Sequence, residues 1–148
     1  MNKGIKLWNE AITAIPGGNG LLSKRPGRYA PDIWPTYYSK AKGVEVWDLE
    51  NNKYIDMAQM AIGSCVLGYS DDDVDSAVIK CINNGVSNTL NNPNEVALAK
   101  KLLEINSFAG GVKFARSGAE AMSIAIRIAR AAAKNTRVAF CGYHGWHD

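Results

Sequence analysis

An α/β fold is what this sequence predicts, and three observations carry the expectation. Several segments place apolar residues at helical spacing. Short β-prone runs lie between them. Towards the end, an apolar run, a long helical run and a second apolar run follow one another within about thirty residues, the pattern of a βαβ unit. The 148 residues suit one domain and suffice to bury a core. With 47% hydrophobic and 21% charged residues, the composition is that of an ordinary globular protein.

The same composition excludes several classes. A formal charge of +3 is mild, and the Lys and Arg residues are scattered, so neither nucleic acid nor a membrane is expected as a partner. The first residues, MNKGIKLWNEAITAIPGG, hold no continuous apolar run and read as neither a signal peptide nor a membrane span. Cys65, Cys81 and Cys141 are odd in number and lack CxxC or His-paired spacing. They are expected to be buried thiols of a reducing compartment, with no disulfide and no metal site, in a cytoplasmic protein.

Element by element, Ile5, Trp8, Ile12 and Ile15 recur at helical spacing, and Pro16-Gly17-Gly18 stops that helix. Asn19 to Thr36 is rich in Gly, Pro and Ser and shows no periodicity, which predicts a functional loop or a mobile one. Val44–Asp48 and Lys53–Met57 are β-prone runs around Asn51-Asn52, a hairpin signal because Asn tolerates positive φ. Asp71, Asp72 and Asp73 suit a helix N-terminus. Val74, Ala77, Val78, Cys81 and Ile82 then share a face, with Gly85 as the stop. A further helix is predicted from Pro93 to about Ile105.

The informative stretch runs from Val112 to Gly145. Val112–Ala115 and Thr136–Cys141 are expected strands around a helix from Ala121 to about Ala133, opened by Ser117-Gly118-Ala119-Glu120. The βαβ pattern predicts that those strands are parallel with a right-handed crossover, so the turns after them are expected to share the carboxyl edge of the sheet, where open α/β sheets bind ligands. The helix is apolar on most sides, with Arg127 and Arg130 on one wet flank, and is expected to pack on that sheet. Its first N–H groups lack intrahelical partners and suit an anion; Gly118 permits close approach and Ser117 adds a hydroxyl. Ser117-x-x-Glu120 is equally a capping box, and taken alone the motif favours the plain cap, although both roles are compatible. Tyr143 lies just past the second run beside Gly142, where a planar ligand could stack on it. His144 and His147 lack acidic or cysteine partners at metal-ligand spacing and read as ordinary hydrogen-bonding histidines. No GxGxxG follows a strand, which disfavours a dinucleotide. The crowding of Gly, Tyr, His and Trp in the last residues reads as a site loop cut short, so the chain is expected to be the front part of a longer one.

Phe114-Ala115-Arg116-Ser117-Gly118-Ala119-Glu120-Ala121, Ile126-Arg127-Ile128-Ala129-Arg130 and Gly142-Tyr143-His144-Gly145 together resemble class III aminotransferases. Ile15-Pro16-Gly17-Gly18, Gly43-Val44-Glu45-Val46-Trp47-Asp48 and Tyr54-Ile55-Asp56 fit the same family, and the branch most similar is that of the glutamate-1-semialdehyde 2,1-aminomutases. The resemblance implies a fold-type-I pyridoxal-phosphate transferase with a parallel-rich sheet and flanking helices. Residues 1–60 would form an N-terminal helix, loop and hairpin segment, and 61–148 the first part of the cofactor-binding large domain. It implies pyridoxal 5′-phosphate held at Ser117, Gly118 and Ala119, ring stacking on Tyr143 and a wall shaped by His144. The Schiff-base lysine is expected beyond Asp148, so no residue of this chain is assigned as catalytic. The implied enzyme is a homodimeric aminotransferase or aminomutase for a small amino/keto or amino-aldehyde substrate, this segment alone being inactive. Met60–Gly63 and the Gly20–Trp34 loop are where such relatives place substrate contacts. Two other readings are a non-catalytic binding module on the same fold and an α/β domain for some other phosphate ligand. Arg116 and Ala119 stand where the family commonly has Asn and Thr. An arginine there could supply a charge-assisted contact in place of the lost hydroxyl.

Overall fold

Asn2 starts the first helix: its side-chain oxygen accepts the Ile5 N–H at 2.8 Å, satisfying one of the donors a helix start leaves open. The computed structural model describes residues 2–58 and 60–143. They fall into two units, divided between Val86 and Ser87.

In the first unit, α1 spans Lys3–Ala14 and ends at Ile15, ahead of Pro16, as its periodicity predicts. Gly18 follows at φ +79°, and a Cβ there would lie 2.4 Å from the Trp8 ring, so the chain can turn back against that ring only through a glycine. The Asn19–Thr36 segment contains two short 3-10 turns, Leu22–Lys24 and Pro26–Arg28. Its Tyr29 and Trp34 rings stack at 4.1 Å and 11°.

Three antiparallel strands follow in the order β1 (Tyr38–Lys42), β2 (Glu45–Asp48) and β3 (Lys53–Ile55). The hairpin expected at Asn51-Asn52 is β2–β3, with Val46 opposite Tyr54 and Asn51 at φ 63°. β1 had no sequence signal. Its Tyr-Ser-Lys-Ala-Lys run has no apolar face, and it becomes a strand by pairing with β2, where Lys40 lies 4.2 Å over the Trp47 ring.

Asp48 organises the hairpin. It is buried, and its carboxylate accepts the N–H groups of Glu50 (2.9 Å) and Asn52 (2.8 Å), the Asn52 amide (2.9 Å) and the Tyr54 hydroxyl (3.1 Å). Burial pushes this carboxyl up, and the bonds from the Asn52 side chain and backbone, the Glu50 N–H and the Tyr54 hydroxyl outweigh it. The net direction is below the ordinary carboxylate value. A carboxyl lowered by folding adds stability that is complete above its unfolded pKa of about 3.9 and fades as pH falls through the folded value. Denaturant midpoints measured from pH 6 downward are therefore expected to fall below about pH 4. Asp48→Asn should lower the midpoint at pH 6 and flatten that acid limb. An acid limb unchanged in Asp48→Asn would remove Asp48 as its source.

The short α2 (Met60–Gly63) and α3 (Asp72–Asn83) complete this unit. Asp71 caps α3 by accepting the Asp73 and Val74 N–H groups, and Asp72, Asp73 and Asp75 fill its first turn, the acidic start that the sequence predicts. Gly43 and Tyr69 exchange two backbone hydrogen bonds of 2.8 Å, and the Tyr69 hydroxyl donates to Asp56, which ties the approach to α3 to the sheet.

The second unit holds α4 (Pro93–Ile105), capped by Asn92, and α5 (Gly118–Ala133), which ends on Lys134 at φ 48°. Here the structure departs from the expected βαβ pairing. Val112–Ala115 and Thr136–Cys141 form no ladder among the described residues, and the sheet that is present is antiparallel and lies in the other unit. A strand exists only by pairing, and consecutive strands of a parallel sheet need not be neighbours. The apolar patterns of the two runs mark segments suited to a sheet without supplying the partners. In keeping with this, Met122, Ile126 and Ile128 of α5 are exposed instead of packed on a sheet. Nor are Cys81 and Cys141 buried: both are exposed, and Cys65 is half-buried, and none of the three is in a disulfide among the described residues.

Candidate functional site

The site expected at the start of α5 is built by the cap itself. Ser117 is the N-cap with extended backbone (φ −142°, ψ 161°), and its Oγ accepts the Glu120 N–H at 3.3 Å. The Glu120 carboxylate reaches back to accept the Arg116 N–H at 2.8 Å. This is a capping-box arrangement, with the glutamate bonded one residue ahead of the cap. The plain cap is therefore real.

It also leaves donors free. Ala121 N–H bonds to the Ser117 carbonyl and Glu120 N–H to the Ser117 hydroxyl, whereas the Gly118 and Ala119 N–H groups have no acceptor among the described residues. Ser117 uses its oxygen as an acceptor and retains its own O–H to donate. Gly118 is exposed, and a Cβ on it would meet nothing within 4 Å, so the backbone face is open to a bulky anion. Ala119 is 6% exposed and anchors the turn from the inside. Two backbone donors, one hydroxyl and the positive end of a sixteen-residue helix fit a phosphate group.

Beside this turn runs a groove of about 650 Å³ lined by Glu95, Phe114, Ala115, Arg116, Glu120 and the next turn of α5. Its presence next to the cap was not legible from the sequence, because it depends on how α4 meets the segment ahead of α5. Arg116 is exposed at its rim.

The remaining expected residues stand apart from this cluster. Gly142 adopts φ +78°, and Tyr143 after it is 78% exposed, with its ring face unstacked among the described residues. The shared sheet edge inferred for Tyr143 and Ser117 depended on a parallel pair that is not formed, so no described contact joins them. His144 lies outside the described residues, as does His147. Among the described residues there is no cluster of metal-ligating side chains and no helix long and apolar enough to cross a membrane.

Comparison with known proteins places the chain in a family. The family model for aminotransferase class-III matches residues 29–146. A 3-aminobutyryl-CoA aminotransferase from Cloacimonas acidaminovorans (strain Evry) is 36% identical over 147 residues, 99% of this chain and 35% of that protein. A glutamate-1-semialdehyde 2,1-aminomutase from Aquifex aeolicus (strain VF5) is 37% identical over 148 residues, 99% of this chain and 34% of that protein. Among solved structures, the pyridoxal-phosphate internal aldimine form of the FumI protein from Sphingopyxis sp. MTA144 superposes with a TM-score of 0.84 at 29% identity. It covers 97% of this chain and 34% of its own. The chain thus spans about a third of the length of the curated relatives it matches, and its α/β fold is that of a part of a fold-type-I transferase. By its sequence and its fold, this chain belongs to the class-III aminotransferases.

Proposed function

We propose that this chain provides the phosphate cradle and a ring-stacking face for pyridoxal 5′-phosphate in an aminotransferase or aminomutase acting on a small amino/keto or amino-aldehyde substrate. The observation that carries the reading is the pair of N–H donors at Gly118 and Ala119 with no acceptor among the described residues, beside the Ser117 hydroxyl, in a chain of this family. The cofactor's phosphate is a dianion near neutral pH, and three converging donors at a helix start fix its position and orientation. When bound, pyridoxal phosphate supplies an electron sink for chemistry next to an amine. Tyr143 offers an exposed ring face that would hold the planar ring by stacking, and His144 would shape the same wall. Residues 1–60 would form an N-terminal segment and 61–148 the first part of the large domain.

The amine chemistry is assigned to no lysine of residues 1–148. A catalytic lysine needs placement at the cofactor aldehyde and a lowered pKa. Lys113 and Lys134, the lysines nearest the α5 turn and its far end, are both exposed. The chain supplied with pyridoxal phosphate and an amino donor is therefore expected to form keto acid no faster than free cofactor does. Turnover well above that background, abolished by replacing one lysine of this chain, would move the catalytic centre into residues 1–148.

A further inference from the structure

The start of α5 has a charge problem that its own cap creates. A phosphate monoester brings about two negative charges, and the positive end of a helix is worth about half a charge. The same turn already holds a carboxylate: Glu120 accepts the Arg116 N–H at 2.8 Å, which keeps its charge beside the helix start. Dipole and carboxylate together come to about minus one half. The Gly118 and Ala119 N–H groups can fix the geometry of a dianion there, but the net field opposes it.

One nearby cation can reverse that sign. From Phe114 to Ile126 the sequence holds a single basic residue, Arg116, and a single acidic one, Glu120. Arg127, the next cation along α5, lies about 14 Å up the axis from Gly118. That is beyond the Debye length of about 8 Å at physiological salt. Lys113 does not line the groove beside the cap, whereas Arg116 does. Arg116 immediately precedes the N-cap, with its Cα at most about 7 Å from that of Gly118, a span an arginine side chain covers. Its main chain is committed to Glu120, but its exposed guanidinium makes no hydrogen bond or ion pair among the described residues. Glu95 and Glu120 line the same groove, and neither pairs with it. A weakly hydrated, permanently charged, planar head is thus left without a partner next to two N–H donors that also lack one.

We propose that Arg116 is a specificity-determining residue for the cofactor's phosphate. Its guanidinium folds over a phosphate held on the Gly118 and Ala119 N–H groups and donates charge-assisted hydrogen bonds to it. The net charge of the turn then rises from about minus one half to about plus one half. This rests on the reading of the turn as the phosphate cradle, and the test separates the two.

The test uses a holoenzyme containing this chain, stripped of cofactor and titrated with pyridoxal phosphate and with pyridoxal, which lacks the phosphate. Arg116→Gln removes the charge and keeps the main-chain bond to Glu120, so the cap survives. It should weaken pyridoxal-phosphate binding about tenfold and leave pyridoxal binding unchanged. Arg116→Lys should recover part of the loss, and added salt should weaken the parent protein more steeply than Arg116→Gln. Equal losses with both compounds would overturn the proposal, because Arg116 would then act on the shape of the site. Unchanged affinity in Arg116→Gln alongside weakened affinity in Gly118→Val would overturn the role of Arg116 and leave the cradle standing. Unchanged affinity in both variants would overturn the cradle and Arg116 together.

Discussion

Gly118→Val, introduced into a holoenzyme containing this chain, is expected to weaken pyridoxal-phosphate binding about a hundredfold while leaving the fold intact. The magnitude follows from losing about two charge-assisted hydrogen bonds, each worth about 1.5–3 kcal/mol, with partial recovery through water. The substitution separates the two roles of the turn. A Cβ at Gly118 meets nothing within 4 Å, so the side chain has room in the free protein. The cap itself runs through the Ser117 hydroxyl and the Glu120 carboxylate, and the introduced valine removes neither. Only a bound anion close to the backbone would feel the branched side chain. Titration of the folded variant with cofactor reads the effect, and unchanged affinity would leave Ser117 and Glu120 as a capping arrangement and nothing more.

Tyr143→Ala should lower cofactor affinity by about tenfold or more and shift the absorbance of the bound cofactor, whereas Tyr143→Phe should do little. Stacking uses the ring face, and offset aromatic pairs are worth about 0.5–1.5 kcal/mol beyond the area they bury. The ring is 78% exposed, so its burial against a planar ligand adds a hydrophobic contribution that the alanine variant forfeits. If Phe proved as damaging as Ala, the hydroxyl would be the group that matters, and Tyr143 would be a hydrogen-bonding residue.

How much of this was legible in the sequence depends on how local each signal is. The helices α1, α3, α4 and α5 were readable because caps and 3.6-residue periodicity act within a few residues. Asp71, Asn92 and Ser117 cap the last three of them where the sequence indicates a start. The β2–β3 hairpin was readable from Asn51, whose φ of 63° is the conformation the turn needs. β1 was not, because Tyr38–Lys42 is a strand only by virtue of its partner. Val112–Ala115 and Thr136–Cys141 show the reverse case, strand-like patterns whose pairing is a long-range property that no local signal contains. Within the site, Ser117, Gly118 and Ala119 were legible as a turn, since spacing alone places them there. The groove beside them, with Glu95 of α4 on its wall, required tertiary contacts. Asp48 was missed for a related reason. An acidic residue ahead of a turn is common, and only the structure reveals four donors converging on one buried carboxylate.

The phosphate cradle is tested most directly by following the backbone amides of Gly118 and Ala119 while pyridoxal phosphate is added to a holoenzyme stripped of it. Neither amide has an acceptor among the described residues, so both should exchange rapidly before addition. Bound phosphate should slow both, and inorganic phosphate at high concentration should slow them partially. Fast exchange at both amides with the cofactor fully bound would place its phosphate elsewhere and contradict the assignment of this turn.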